Sequence, residues 1–222
     1  GITNIPWASF YDLFNAVSLS IPSTVASIDE YGNNSFIEIK LADGNNYYSV
    51  VDDVLLNYDK TELIMYPAKK VDETYTVPDG VTILSSYAFY LSENLKTVNI
   101  SDDVTTIKGS CFEYSSVENI NFGKNVEVIE SNALADAGLK TVVLPEKLTE
   151  ISWSLFYGCN SLENLVIGSN VTKIGKYVLD YCYELKTVHF LGTEEQWQAI
   201  TKPDDSEDAI NTIEVHFGAL EE

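Results

Sequence analysis

The chain has 222 residues, 45% of them hydrophobic, with 34 acidic against 13 basic side chains and a net charge of -21. That balance excludes the clustered Lys and Arg that neutralise phosphates, so nucleic acid and anionic membranes are poor partners. No apolar run is long enough to insert into a bilayer. The same acidity favours solubility, and it attracts basic partners or cations. Gly1 opens the sequence without the charged and apolar regions of a signal peptide, as a processed or trimmed chain also would.

Residues 1–18 place Trp7, Phe10, Tyr11, Leu13, Phe14 and Val17 at helical spacing, which predicts an amphipathic helix capping the first layer of a stacked array. Residues 19–74 form a worn repeat. Val25-x-x-Ile28 matches later copies, and residues 36–41 alternate with period two as a strand does. Asp43-Gly44-Asn45-Asn46 supplies turn chemistry, and no acidic ligand completes the spacing of a calcium loop. Residues 48–56 and 61–66 are two β-rich runs around Asn57-Tyr58-Asp59-Lys60, predicting a hairpin inserted between repeats.

A regular array fills residues 75–190. Leu95-x-x-Val98-x-Ile100 recurs as Val117-x-x-Ile120-x-Phe122, Leu139-x-x-Val142-x-Leu144, Leu162-x-x-Leu165-x-Ile167 and Leu185-x-x-Val188-x-Phe190, with starts 22, 22, 23 and 23 residues apart. A fixed period in this range specifies a solenoid whose rungs share one continuous core. Each copy continues through a polar turn, a second apolar pair such as Val104/Ile107, and a half-turn with helical appearance. Residues 191–222 break the period. Thr193-Glu194-Glu195-Gln196 is a capping box opening a short helix, an acidic loop follows, and a last strand at 213–217 completes a C-terminal cap. The expected architecture is one α/β domain: a right-handed, β-dominated leucine-rich-repeat superhelix with a parallel concave sheet, an N-terminal helix and that cap.

The repeat text, roughly Leu-x-x-Val-x-Ile-Pro-x-x-Val-x-x-Ile-Gly-x-x-Ala-Phe-x-x-Cys, resembles the BspA-like leucine-rich repeats of bacterial surface proteins. Tyr75-x-Val77-Pro78-Asp79-Gly80-Val81 with Tyr87-Ala88-Phe89 carries the resemblance, as do Val171-x-x-Ile174-Gly175 with Cys182 and Gly192-Thr193-Glu194-Glu195-Gln196-Trp197. It implies a secreted or surface-displayed adhesin whose partner is an extracellular protein or a host-cell surface. The alternatives are a spacer that displays another module and a carbohydrate-binding module using Tyr and Trp.

Nothing in the sequence points to catalysis. The two histidines, His189 and His216, sit on strands, and no Ser occupies a nucleophile elbow. No cofactor motif or zinc set is present. The three cysteines are too few for a disulfide framework. Cys159 and Cys182 occupy matching places in adjacent repeats and are expected to be buried thiols, with a disulfide as the alternative. The acidic pairs Asp52-Asp53, Asp102-Asp103, Asp204-Asp205 and Glu207-Asp208 are expected to be solvated turns, with weak calcium binding as the alternative. The outward strand positions give two rows, because side chains alternate across a strand. Thr97, Asn119, Thr141, Asn164 and Thr187 form a structural row. Asn99, Asn121, Val143, Val166 and His189, extended by Leu191, form the candidate protein-binding row, which grows more apolar toward its end. An aspartate at Val166 or His189 is expected to weaken binding without changing the melting temperature. Fourteen tyrosines, with Tyr157, Tyr177, Tyr181 and Tyr183 crowded into two half-turns, are expected mainly to pack, while Trp153 falls at a position that suits exposure.

Overall fold

The computed structural model describes residues 1–6, 9, 16–29, 35–205 and 208–220. The expected helix around Trp7, Phe10, Tyr11, Leu13 and Phe14 lies outside the described residues, as does Glu207.

Each repeat forms a rung with two short strands. The first strands are Thr74–Thr76, Thr97–Asn99, Asn119–Asn121, Thr141–Val143, Asn164–Ile167 and Thr187–Phe190. Because the period hardly varies, matching residues stand side by side in parallel register: Tyr75, Val98 and Ile120, then Val142, Leu165 and Val188. Every one of these side chains is buried, forming a single core column. The second strands Ile83–Leu84, Thr106–Ile107 and Val128–Ile129 form a parallel sheet, and Glu150–Ile151 pairs with Lys173–Ile174.

Neither sheet is continuous. Among the described residues, Asn119–Asn121 does not pair with Thr141–Val143, nor Val128–Ile129 with Glu150–Ile151. The rungs stay joined there at the half-turns, where the Asn132 N–H donates to Trp153 O (3.2 Å) and the Asp136 N–H to Tyr157 O (2.7 Å). On the second-strand side the Ser152 hydroxyl donates to Ile129 O at 2.6 Å, where a backbone N–H serves in other rungs.

The expected α/β class gives way to a β-solenoid of stacked coils. Among the described residues, α-helix is confined to Glu194–Ala199 and Ala209–Thr212. The half-turns looked helical because small and large apolar residues alternate there. Each instead holds two residues of positive φ four positions apart: Tyr87 and Leu91, Ser110 and Tyr114, Asn132 and Asp136, Ser154 and Gly158, Tyr177 and Tyr181. Left-handed residues cannot continue a right-handed helical hydrogen-bond ladder. The N–H groups bond to the next rung instead, as Phe112 does to Ala133 O at 2.8 Å.

Residues 48–65 correct the expected hairpin. The run 48–56 is two strands, Tyr48–Val51 and Val54–Asn57, and Glu62–Met65 completes an antiparallel meander. Asp52 and Asp53, with φ of 49° and 64°, make the turn, since consecutive left-handed residues match the twist of a tight hairpin. This sheet has two buried faces. Leu55 and Met65 join Ile5, Ile21, Val25, Phe36 and Ile39 in an N-terminal core, whereas Leu56 and Leu63 join the main core of the array.

At the other end the Thr193 capping box forms as expected, with Gln196 N–H donating to the Thr193 hydroxyl at 3.2 Å and Thr193 N–H to the Gln196 side chain at 2.8 Å. Trp197 packs on Phe190 with ring centres 5.3 Å apart. Where a closing element was expected, Glu214–Phe217 continues the first-strand sheet in parallel register with Thr187–Phe190. Asp208 is no solvated turn residue. Its buried carboxylate accepts from Ile210 N–H (3.2 Å) at the start of the short helix and from Tyr177 N–H (2.9 Å) across the chain. Asp208→Ala removes both bonds and should cost about 1–2 kcal/mol. Thermal unfolding measures it, and an unchanged melting temperature would refute this clamp.

Candidate functional site

The two outward rows form as the alternation requires, but the candidate row does not run unbroken. Asn99 and Asn121 stand in register with Thr76, and Val143, Val166 and His189 with His216. The parted strands separate the two groups.

In the first group the Asn121 amide donates to Asn99 Oδ1 at 2.7 Å, and the Asn99 amide to Thr76 Oγ1 at 3.2 Å. Laddering expected in the Thr and Asn row thus occupies the candidate row as well. Asn121 remains exposed. With Asn119, Phe122, Lys124, Thr141 and Val143 it lines a hollow of about 450 Å³ where the strands part.

In the second group Val166 departs from expectation, being only 7% exposed. Val143 and His189 flank it, and the final described residues lie against this end of the face. His189 Nε2 is 2.7 Å from Gly218 O, and Leu220 lines a shared hollow with Val166, His189 and His216. The apolar side chains that the row leaves open are Val143, 53% exposed, and Leu191, 39% exposed.

A second concavity lies on the half-turn side. Half-turn residues stack as Tyr90-Leu91, Glu113-Tyr114, Ala135-Asp136, Tyr157-Gly158 and Asp180-Tyr181, so the Val117 rung puts a methyl where the following rung carries Tyr157 and a short carboxylate where the preceding rung carries Tyr114. The result is a hollow of about 340 Å³, with Glu113, Tyr114 and Asp136 on one side and Trp153, Tyr157 and Tyr177 on the other. Trp153 and Tyr177 meet edge to face at 6.2 Å, and Tyr157 and Tyr181 at 5.0 Å. These rings pack on one another yet stay open to solvent, Trp153 and Tyr181 about half exposed. Gly158 is required there. A Cβ on it would come within 2.1 Å of Asp136 Oδ1, and its φ is +71°.

Burial pushes the Glu113 carboxyl up, and the Asp136 charge adds to this against a hydrogen bond from Ser110. Burial also pushes Asp136 up, against a hydrogen bond from Tyr114. Raised folded-state values mean the native chain retains protons that the unfolded chain has released. Their favourable contribution is present at low pH and lost as pH rises through the folded values. Glu113→Gln and Asp136→Asn should each raise the melting temperature at pH 7. That gain should disappear near about pH 3, where the carboxyls of the parent are protonated too. A gain independent of pH would refute the desolvation argument.

The sequence exposed the crowding of tyrosines but not this gap between them. The legible signal was the small pair Ala135-Asp136 beside Gly158.

Cys111, Cys159 and Cys182 are free and buried. Cys159 donates to Leu134 O (3.0 Å) and Cys182 to Phe156 O (3.1 Å). Burial pushes all three thiols up, Cys182 to about 12. An aromatic disulfide reagent should therefore modify none of them in the native protein and all of them in denaturant. Rapid native labelling would refute their burial.

The acidic turns staple rungs together. Asp102 accepts from Lys124 N–H at 3.0 Å and from its ammonium, and Asp103 accepts from Gly80 N–H at 2.8 Å. The hydrogen bonds from Lys124 hold the Asp102 carboxyl below its usual range. Among the described residues, no three His, Cys, Asp or Glu side chains gather as a metal-binding group, and no helix is long and apolar enough to cross a membrane.

A family model described as the BspA type leucine rich repeat region matches six copies across residues 68–186. Among solved structures, a leucine rich cell surface protein from Faecalibacterium prausnitzii is 26% identical with a TM-score of 0.77, covering 92% of this chain and 55% of that one. A leucine-rich repeat protein from Eubacterium ventriosum is 28% identical with a TM-score of 0.67, covering 77% and 48%. The pneumococcal vaccine antigen PcpA, at 24% identity and a TM-score of 0.79 over 98% and 55%, shares the fold. The chain spans about half the length of these structures. No curated protein matches.

Proposed function

Because the chain belongs to the BspA-type leucine-rich repeat family, we propose that it is a non-enzymatic, secreted or surface-displayed bacterial protein that binds an extracellular protein or host-cell surface. The whole of residues 1–222 acts in this reading as one repeat domain, and the first-strand face makes the contact. The observation that carries it is the pair Val143, open on the parallel-strand face, and Leu191, open just past the end of the strand Thr187–Phe190. Exposed apolar groups held on a rigid solenoid surface are the anchors that a protein partner desolvates. The kinship with a leucine rich cell surface protein supports the location.

The test is binding of the purified chain to an array of extracellular matrix proteins at physiological salt, beside the Val143→Asp/Leu191→Asp variant. Saturable binding that the variant loses while keeping its melting temperature supports the strand face. Equal binding by both proteins sinks it.

A further inference from the structure

We propose that the half-turn hollow of Glu113, Tyr114, Asp136, Trp153, Tyr157 and Tyr177 is a second binding site, and that it takes the cationic side chain of a lysine or arginine from a basic protein segment. It stands apart from the strand face and does not depend on that reading.

Two features of the lining select the ligand. Aromatic rings present the electron-rich faces and apolar area that an alkylammonium or guanidinium group and its stem prefer. Four of the six side chains named are aromatic. The other two are carboxylates, and among the described residues no Lys, Arg or His lines the hollow with them. Neither Glu113 nor Asp136 takes part in an ion pair among the described residues, although most lysines of the repeat array do pair, for example Lys124 with Asp102, Lys140 with Glu118 and Lys173 with Glu150. Their hydrogen bonds come from the neutral hydroxyls of Ser110 and Tyr114. Two partly desolvated negative charges facing aromatic rings have no compensating charge among the described residues, and a cation supplies it.

The hollow is also built rather than incidental. The shortened pair Ala135-Asp136 opens it, Gly158 makes room for the Asp136 carboxylate, and backbone bonds from Asp136 to Tyr157 O and from Gly158 to Asp180 O (2.9 Å) fix its frame. The net charge of -21 draws basic segments toward the chain, which speeds encounter with such a site. A neutral sugar would stack on the same rings but leave both carboxylates uncompensated.

The experiment titrates the purified chain with a blocked pentalysine peptide at physiological salt, read by calorimetry and Trp emission. Saturable binding at one site per chain is expected, weakened about tenfold or more by Glu113→Gln/Asp136→Asn and also by Trp153→Leu. Each variant should keep a cooperative thermal transition. Asp43→Asn/Asp79→Asn removes the same charge at exposed turns and should bind as the parent does. The Val143→Asp/Leu191→Asp variant should also bind normally, which separates this site from the strand face. If the two charge-neutralised pairs weaken binding equally, the peptide is held by overall charge and the site is overturned. Displacement of the peptide by a neutral oligosaccharide, or failure of the parent to bind pentalysine, overturns it as well.

Discussion

Phe112→Ala should lower the thermal transition more than any change on the surface. The Phe112 ring is fully buried and stacks on Phe89 at 4.7 Å with planes 6° apart, and Phe89 in turn stacks on Tyr66 at 5.3 Å. The stack crosses three rungs, so truncation leaves a cavity that two neighbours border and neither can fill. Such a loss costs about 3–5 kcal/mol. For a chain of this size that is roughly 6–20 °C in melting temperature. Rungs contact only their neighbours, so the whole loss falls on the interfaces either side of Cys111-Phe112. Phe112→Leu should recover most of it, leaving a cost below about 1.5 kcal/mol, because the next rung already holds Leu134 in the matching place. Calorimetric melting of both variants decides the matter. If Phe112→Leu melts as low as Phe112→Ala, the stacked ring itself, and not apolar volume alone, is what this core requires.

Val166→Asp should also unfold the protein at a lower temperature, contrary to what strand alternation alone implies. At 7% exposure, between Val143 and His189 in register, an aspartate would lose its hydration at a place the parent fills with an apolar side chain. The cost is about 1–3 kcal/mol or more, or roughly 2–12 °C. Val143→Asp, one strand away and 53% exposed, should stay within about 0.5 kcal/mol of the parent. Val143, rather than Val166, is therefore the position whose substitution reports on binding. Equal melting of the two variants would mean that the end of the strand face is open to solvent.

The difference between those valines shows where reading a sequence stops. Alternation placed Val143 and Val166 on the same face, and the parallel register bears that out. Whether a residue on that face meets water depends on what else arrives there. The Gly218 carbonyl reaches His189, and Leu220 comes to the hollow beside Val166, from 29 or more residues further along the chain. No local pattern encodes that approach. The half-turns failed for a different reason. Their apolar spacing imitates a helix, and the positive φ of residues such as Ser110 and Tyr114 is imposed by hydrogen bonds to the next rung rather than by a residue type that favours it.

The sequence by itself determined the solenoid, its rung boundaries, the buried column of Val98, Ile120, Val142, Leu165 and Val188, and the Thr193 capping box. A repeating period forces equivalent residues into equivalent surroundings, and burying one copy buries them all. Tertiary structure alone decided where both sheets part, which outward residues are covered, how the meander serves two cores, and that Ala135-Asp136 opens a charged aromatic hollow against Gly158. Each of these depends on how one rung differs from the next, and a difference acquires a shape only when the neighbouring rung is packed beside it.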